Sequence, residues 1–102
     1  MGTDRQKNRD VTQTLSKVVR VQNMRGLHAR AAARFCERAA RHTATIEVTY
    51  NHHTVGGCSL MALLMLGAAR GAEITIEAKG QDAAAALDDL EDLIMTNFGE
   101  AE

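Results

Sequence analysis

The sequence predicts a two-layer α/β (α+β) sandwich whose seven elements follow the order β-α-β-β-α-β-α. Three observations carry this reading. Several short runs alternate apolar and polar residues, the pattern of strands with one wet face. Between them lie segments whose apolar residues recur every three to four positions, the pattern of helices packed on one side. Glycines and single capping residues separate the two kinds of segment. With 102 residues, 45% of them apolar, the chain can build one core and is too short for two.

The elements follow in order. Residues 1–16 are polar, mixed in charge and aperiodic, and are expected to form a flexible N-terminal extension ahead of a domain over residues 17–98, with 99–102 as a C-terminal tail. Val19 and Val21 alternate with Arg20 and Gln22 in a half-buried strand, and Gly26 in the following loop can take a backbone conformation closed to other residues. A helix is expected over about His28 to Arg41. Ala29, Ala32, Phe35, Cys36 and Ala39 form its inner side, and Arg30, Arg34, Arg38 and Arg41 form a stripe on the other. The clearest strand comes next, with Ala44, Ile46, Val48 and Tyr50 pointing one way. A turn over Asn51 to His53 leads to a brief return strand at Thr54 and Val55, interrupted by Gly56-Gly57. Ser59 is a good N-cap for a helix running to about Leu66 and closed by Gly67. The last strand turns Ile74, Ile76 and Ala78 inward, and Asp82 is expected to cap a final helix with the stripe Ala83, Leu87, Leu90 and Ile94.

Composition excludes several classes of function. No run approaches the roughly 18 apolar residues of a membrane span, so no membrane insertion is expected. Two cysteines without a secretory segment point to reduced thiols in a cytoplasm. Three aromatic residues provide no stacking platform for single-stranded nucleic acid. The formal net charge of -1 hides an asymmetry: seven basic residues against Glu37 between Lys17 and Arg41, and nine acidic residues against Lys79 between Glu73 and Glu102. Such a distribution can steer a charged partner, and it equally fits two solvated helix faces of opposite sign.

Two segments carry chemistry. Gly26-Leu27-His28-Ala29-Arg30 places an imidazole where a loop becomes a helix, beside unpaired backbone N–H donors and the positive end of the macrodipole. That environment favours a neutral, nucleophilic ring and an anion attached to it. Arg30 adds a fork suited to phosphate oxygens. Spacing alone also fits a surface histidine beside an unrelated arginine. The helix after Ser59 is the second segment. Leu60, Met61 and Leu64 cluster on one face, while Leu63 and Leu66 lie on another. Only one of these faces can be buried in the sheet, so the other is expected to form a methionine-containing docking patch unless the helix is covered all round. The Ser59 hydroxyl lies beside that patch, where a kinase can add charge. His28, Cys36, His42, His52, His53 and Cys58 lack metal-ligand spacing, so no metal or other cofactor is expected. A serine hydrolase and a Walker loop are excluded by the absence of their motifs.

Gly26-Leu27-His28-Ala29-Arg30 and Ser59-Leu60-Met61-Ala62-Leu63-Leu64-Met65-Leu66-Gly67 resemble the two signature segments of HPr, the histidine-containing phosphocarrier family of the phosphoenolpyruvate phosphotransferase system. The element order agrees, and the likeness runs from about Lys17 to Phe98. The resemblance implies an open-faced β-sandwich, a four-stranded antiparallel sheet with three helices on one face. It implies that His28 accepts a phosphoryl group on Nδ1 from enzyme I and passes it to an enzyme IIA component, with Arg30 as the active-site arginine. It further implies regulatory phosphorylation of Ser59 by an HPr kinase/phosphorylase, and docking through Leu60, Met61 and Leu64, with Arg34 beside them. The expected carrier is monomeric and cytoplasmic, a component of a transferase system that needs no metal of its own. One departure stands inside the first motif: the family places proline after the arginine, and this chain has Ala31. A nitrogen-branch or purely regulatory form, and an interaction module never phosphorylated on His28, are the alternative readings.

Overall fold

In the computed structural model, which describes residues 14–100, the alternation of apolar residues sets the register of the sheet. Leu15, Lys17 and Val19 of β1 (Thr14–Arg20) stand opposite Ala78, Ile76 and Ile74 of β4 (Glu73–Lys79). Ile46 and Val48 of β2 (Thr45–Tyr50) meet the same Ala78 and Ile76 from the other side. The short strand β3 (His53–Gly56) pairs with β2 at the edge. All pairings are antiparallel, in the order β1-β4-β2-β3. Three helices, α1 (Ala29–Ala39), α2 (Leu60–Met65) and α3 (Ala83–Met95), cover the apolar face, and a 3-10 turn (Asn97–Gly99) follows α3. Phe35, Leu63, Leu90, Ile94 and Phe98 are fully buried against Val48, Ile74 and Ile76. Each such side chain contributes about 1.5–3 kcal/mol of transfer free energy. This is the open-faced sandwich the sequence predicts. Among the described residues no helix is long and apolar enough to cross a membrane.

Several boundaries shift for identifiable reasons. The first strand begins at Thr14, so the extension expected over residues 1–16 does not include Thr14–Ser16; residues 1–13, 101 and 102 lie outside the described residues. The period is hidden there because an inward position carries Lys17. Its ammonium reaches Glu91 at 2.8 Å and Asp88 at 3.4 Å on α3. On α1, Ala31 is buried and Ala29 is exposed, the reverse of the expected inner stripe at its first turn. The helix forms without the family's proline. Asp82 does not cap α3 with its side chain. Its carboxylate instead accepts the Thr43 N–H at 3.0 Å, the Thr43 hydroxyl at 3.1 Å and the Ala44 N–H at 2.7 Å, tying the start of β2 to α3. Asn51 and His52 both take positive φ in the β2–β3 turn, the geometry that matches the twist of a two-residue hairpin.

Candidate functional site

The loop from β1 to α1 is built to hold one residue in place. Asn23 is buried, and its Nδ2 donates to the Gly26 carbonyl at 2.8 Å while the Gly26 N–H returns to the Asn23 carbonyl at 3.1 Å. Gly26 has φ +66°, and a Cβ there would lie 2.6 Å from the Ala68 carbonyl oxygen. Only glycine meets both demands. The Leu27 N–H then bonds the Ala68 carbonyl at 2.9 Å, which docks the loop on the segment after α2. His28 follows as the N-cap of α1 in an extended conformation. Its carbonyl accepts the first helical hydrogen bond, from Ala32 at 2.8 Å, and its ring makes no capping bond. The imidazole is therefore free to point away from the helix axis, next to first-turn N–H groups that have no helical acceptor.

A second segment reaches the same ring. After α3 the chain turns back through Asn97, Phe98 and Gly99, all with positive φ, and buries Phe98 in the core. The Arg34 guanidinium on α1 donates to the Phe98 carbonyl. This hook sets the Glu100 carboxylate 3.2 Å from His28 Nε2, with 20% of the His28 side chain still accessible. The hydrogen bond from His28 holds the Glu100 carboxyl below its usual range. Burial opposes that shift, and the charges of His28, Arg30 and Arg34 reinforce it. Glu100 thus belongs to the site, not to a detached tail over 99–102. Periodicity cannot reveal such a residue; the one usable signal is the lone aromatic Phe98 followed by Gly99 just past a helix.

The other candidates divide. Arg30 is exposed, in the first turn beside His28, and makes no ion pair among the described residues. Arg34 is half-exposed, and its guanidinium is held against the Phe98 carbonyl. The Ser59 hydroxyl accepts the Ala62 N–H at 3.4 Å, as an N-cap does. On α2, Leu63 is fully buried and Leu64 half-buried, while Leu60 is 39%, Met61 67% and Met65 82% exposed. The helix therefore has one bare apolar face, and Met65, which the sequence reading did not single out, is its most exposed member. Beside it an apolar groove of about 340 Å³ is lined by His53, Val55, Ala62, Met65 and Leu66. Met24, in the loop before His28, is 67% exposed.

The arrangement is an accessible imidazole with one ring nitrogen bonded to a carboxylate, the other available, and a guanidinium beside it. It suits a small anionic group arriving from a second macromolecule. Comparison with known proteins points the same way. The family described as the PTS HPr component phosphorylation site matches residues 15–96. Phosphocarrier protein HPr of Neisseria meningitidis is 42% identical over 88 residues, covering 86% of this chain and 99% of that protein. Phosphocarrier protein NPr of Shewanella violacea is 39% identical, covering 85% and 96%. The crystal structure of an HPr from Thermoanaerobacter tengcongensis superposes with a TM-score of 0.82 at 33% identity, covering 86% and 99%. With the match running from β1 through the end of α3, and spanning nearly the whole of its relatives, the chain belongs to the HPr family of phosphocarrier proteins of the phosphotransferase system.

Proposed function

We propose that His28 is the phosphoryl acceptor of this carrier, receiving the group on Nδ1 from phosphorylated enzyme I and passing it to an enzyme IIA component. The hydrogen bond between Nε2 and Glu100 is the observation that supports this most directly. In the tautomer that donates from Nε2, the Nδ1 lone pair is left free to attack phosphorus. The N–P bond to Nδ1 forms as the bond to the donor's nitrogen breaks, and the transfer to enzyme IIA repeats the exchange in the other direction. Arg30 and the first-turn N–H groups of α1 face the three phosphoryl oxygens, each worth about 1 kcal/mol or less at an exposed site. Such modest stabilisation keeps the phosphohistidine reactive enough to be passed on.

Docking falls to the bare face of α2, Leu60, Met61 and Leu64 extended by Met65, with Arg30 in place of Arg34 as the charged contact. Ser59, at the edge of that face, is the site of regulatory phosphorylation by an HPr kinase/phosphorylase, and the protein works as a cytoplasmic monomer. The NPr relative favours one second reading, a carrier of the nitrogen branch, and the enzyme IIA that accepts the phosphoryl group distinguishes the two. The decisive experiment mixes the protein with enzyme I and phosphoenolpyruvate and follows phosphohistidine by mass. His28→Ala is expected to lose acceptance entirely with its fold intact. Undiminished labelling of that variant refutes the assignment, and an unlabelled wild type leaves the reading as an unphosphorylated interaction module.

A further inference from the structure

Two hydrogen bonds close the turn after α3 on itself: the Gly99 N–H donates to the Thr96 carbonyl at 3.0 Å, and the Glu100 N–H donates to the Asn97 carbonyl at 2.9 Å. Neither ties the turn to α1, the helix that His28 caps. Arg34 supplies that tie. Its Nη1 donates to the Phe98 carbonyl, and a Cβ added at Gly99 would lie 3.0 Å from the same nitrogen. The guanidinium is therefore packed against the turn at both Phe98 and Gly99. His28 and Arg34 lie less than two turns apart on one helix, ~9 Å along its axis at 1.5 Å per residue. The ring is thus fixed at one point of α1, and the segment carrying its acceptor, Glu100, is fixed at another. A carboxylate beyond the last helical turn otherwise opens easily, because few contacts hold it.

We propose that Arg34 is a positioning residue for phosphoryl transfer: by holding the Phe98–Gly99 turn on α1, it keeps Glu100 on His28 Nε2 and so selects the ring tautomer whose Nδ1 can attack. The inference rests on the acceptor role proposed for His28, and it gives Arg34 a task that its place in the arginine stripe does not describe. The ionised Glu100 carboxylate can only accept, so the proton of the neutral ring sits on Nε2 while the 3.2 Å contact lasts. Glu100 is kept ionised first by the His28 hydrogen bond, against burial, and then by the charges of His28, Arg30 and Arg34. When the turn lets go, both tautomers are populated and the fraction of protein ready to attack falls. Arg30 works directly on the phosphoryl group, whereas Arg34 acts through Glu100.

The test compares Arg34→Met, which keeps an apolar stem and removes the donors, with Arg34→Lys and Gly99→Ala. Nitrogen shifts of the His28 imidazole, recorded on the unphosphorylated full chain with the ring neutral, read the tautomer without enzyme I. Wild type is expected to show the Nε2–H form almost alone and Arg34→Met a mixture of both forms. Gly99→Ala, whose methyl crowds Nη1 at a φ of +77°, should give the same mixture, and it carries the test by itself where Arg34→Met does not fold. Arg34→Lys, which keeps a donor and the charge, should recover much of the wild-type signature. At high salt, where steering is screened, Arg34→Met should slow phosphoryl acceptance several-fold, and it should slow the Glu100→Ala protein no further. An unaltered tautomer in Arg34→Met and Gly99→Ala would overturn the proposal. So would an equal slowing of the Glu100→Ala protein by Arg34→Met, which marks Arg34 as a contact for the partner. Absence of acceptance by wild type would instead refute the acceptor role of His28, and the tautomer comparison distinguishes that failure from this one.

Discussion

The carboxylate of Glu100 reaches His28 because the three residues before it, Asn97, Phe98 and Gly99, are all left-handed. Glycine takes that conformation freely, whereas for asparagine and phenylalanine it costs of order 1 kcal/mol each. Burying the Phe98 ring offsets the cost, and the Arg34 guanidinium on its carbonyl fixes the turn. Glu100→Ala is therefore expected to leave the melting temperature nearly unchanged, since the side chain anchors nothing in the core. It should slow phosphoryl acceptance several-fold, because Nε2 no longer has a fixed acceptor and the ring samples both tautomers. Nitrogen shifts of the imidazole report the tautomer independently of activity. A variant with an unaltered tautomer and rate would relegate Glu100 to a bystander. His28, Arg30 and Ser59 are legible in the sequence because short motifs carry them. Glu100 is not, because it is brought in by a left-handed hook that no hydrophobic period records.

α2 has six residues and two kinds of surface, and the sequence separates them well. Leu63 enters the core from one side, and Leu60 and Met61 remain outside on the other. Met65 escapes the reading because it falls between the two clusters in sequence, although the fold leaves it facing solvent. The Ser59 cap bond is long, 3.4 Å, so its contribution lies at the low end of capping energies, about 0.5 kcal/mol. A carboxylate can accept the same N–H. Ser59→Asp is thus expected to keep the melting temperature within a degree or two while weakening transfer from enzyme I several-fold or more, since a fixed charge then borders apolar groups that must lose water on docking. Equal acceptance rates would show that α2 is not the docking helix. A much lower melting temperature would show that the hydroxyl holds a geometry the carboxylate cannot reproduce. The same logic explains Asp82: the sequence offers it as a cap, but the N–H groups of Thr43 and Ala44 compete for its oxygens and win.

Across the whole molecule, the two charged regions seen in the sequence meet at both ends of α1, through Glu100 at the His28 end and through a clamp at the other. At the far end of α1 from His28, Arg38 pairs with Asp89 at 2.7 Å, and His42 lies between Asp89 at 2.8 Å and Asp82 at 3.4 Å. Burial opposes the charge of both carboxyls. Hydrogen bonds from His42 and Arg38 to Asp89, and from Thr43 and Ala44 to Asp82, outweigh it and hold both below the usual range. Because these folded-state values are depressed, their contribution is complete above about pH 4 and fades as the pH falls through them. Denaturant melts carried from neutral into acid should show that loss, and Asp89→Asn should make it shallower; an identical slope would mean that other carboxylates carry it. The steering charge is what this clamp leaves over. Arg38 is neutralised by Asp89, whereas Arg30 at the His28 end and Arg41 have no ion-pair partner among the described residues. The charge left over therefore lies at Arg30 beside His28, at Arg34 and at Arg41, with Arg38 taken out of the stripe. Exposed charges are screened beyond about 10 Å at 0.1 M salt, so association with enzyme I should slow as salt rises. Arg30→Gln should lower the association rate and flatten its salt dependence. Arg38→Gln should leave both nearly unchanged and act on stability instead, because its charge is already spent on α3. Salt-independent association, or equal effects of the two substitutions, would return the stripe to an ordinary solvated helix face.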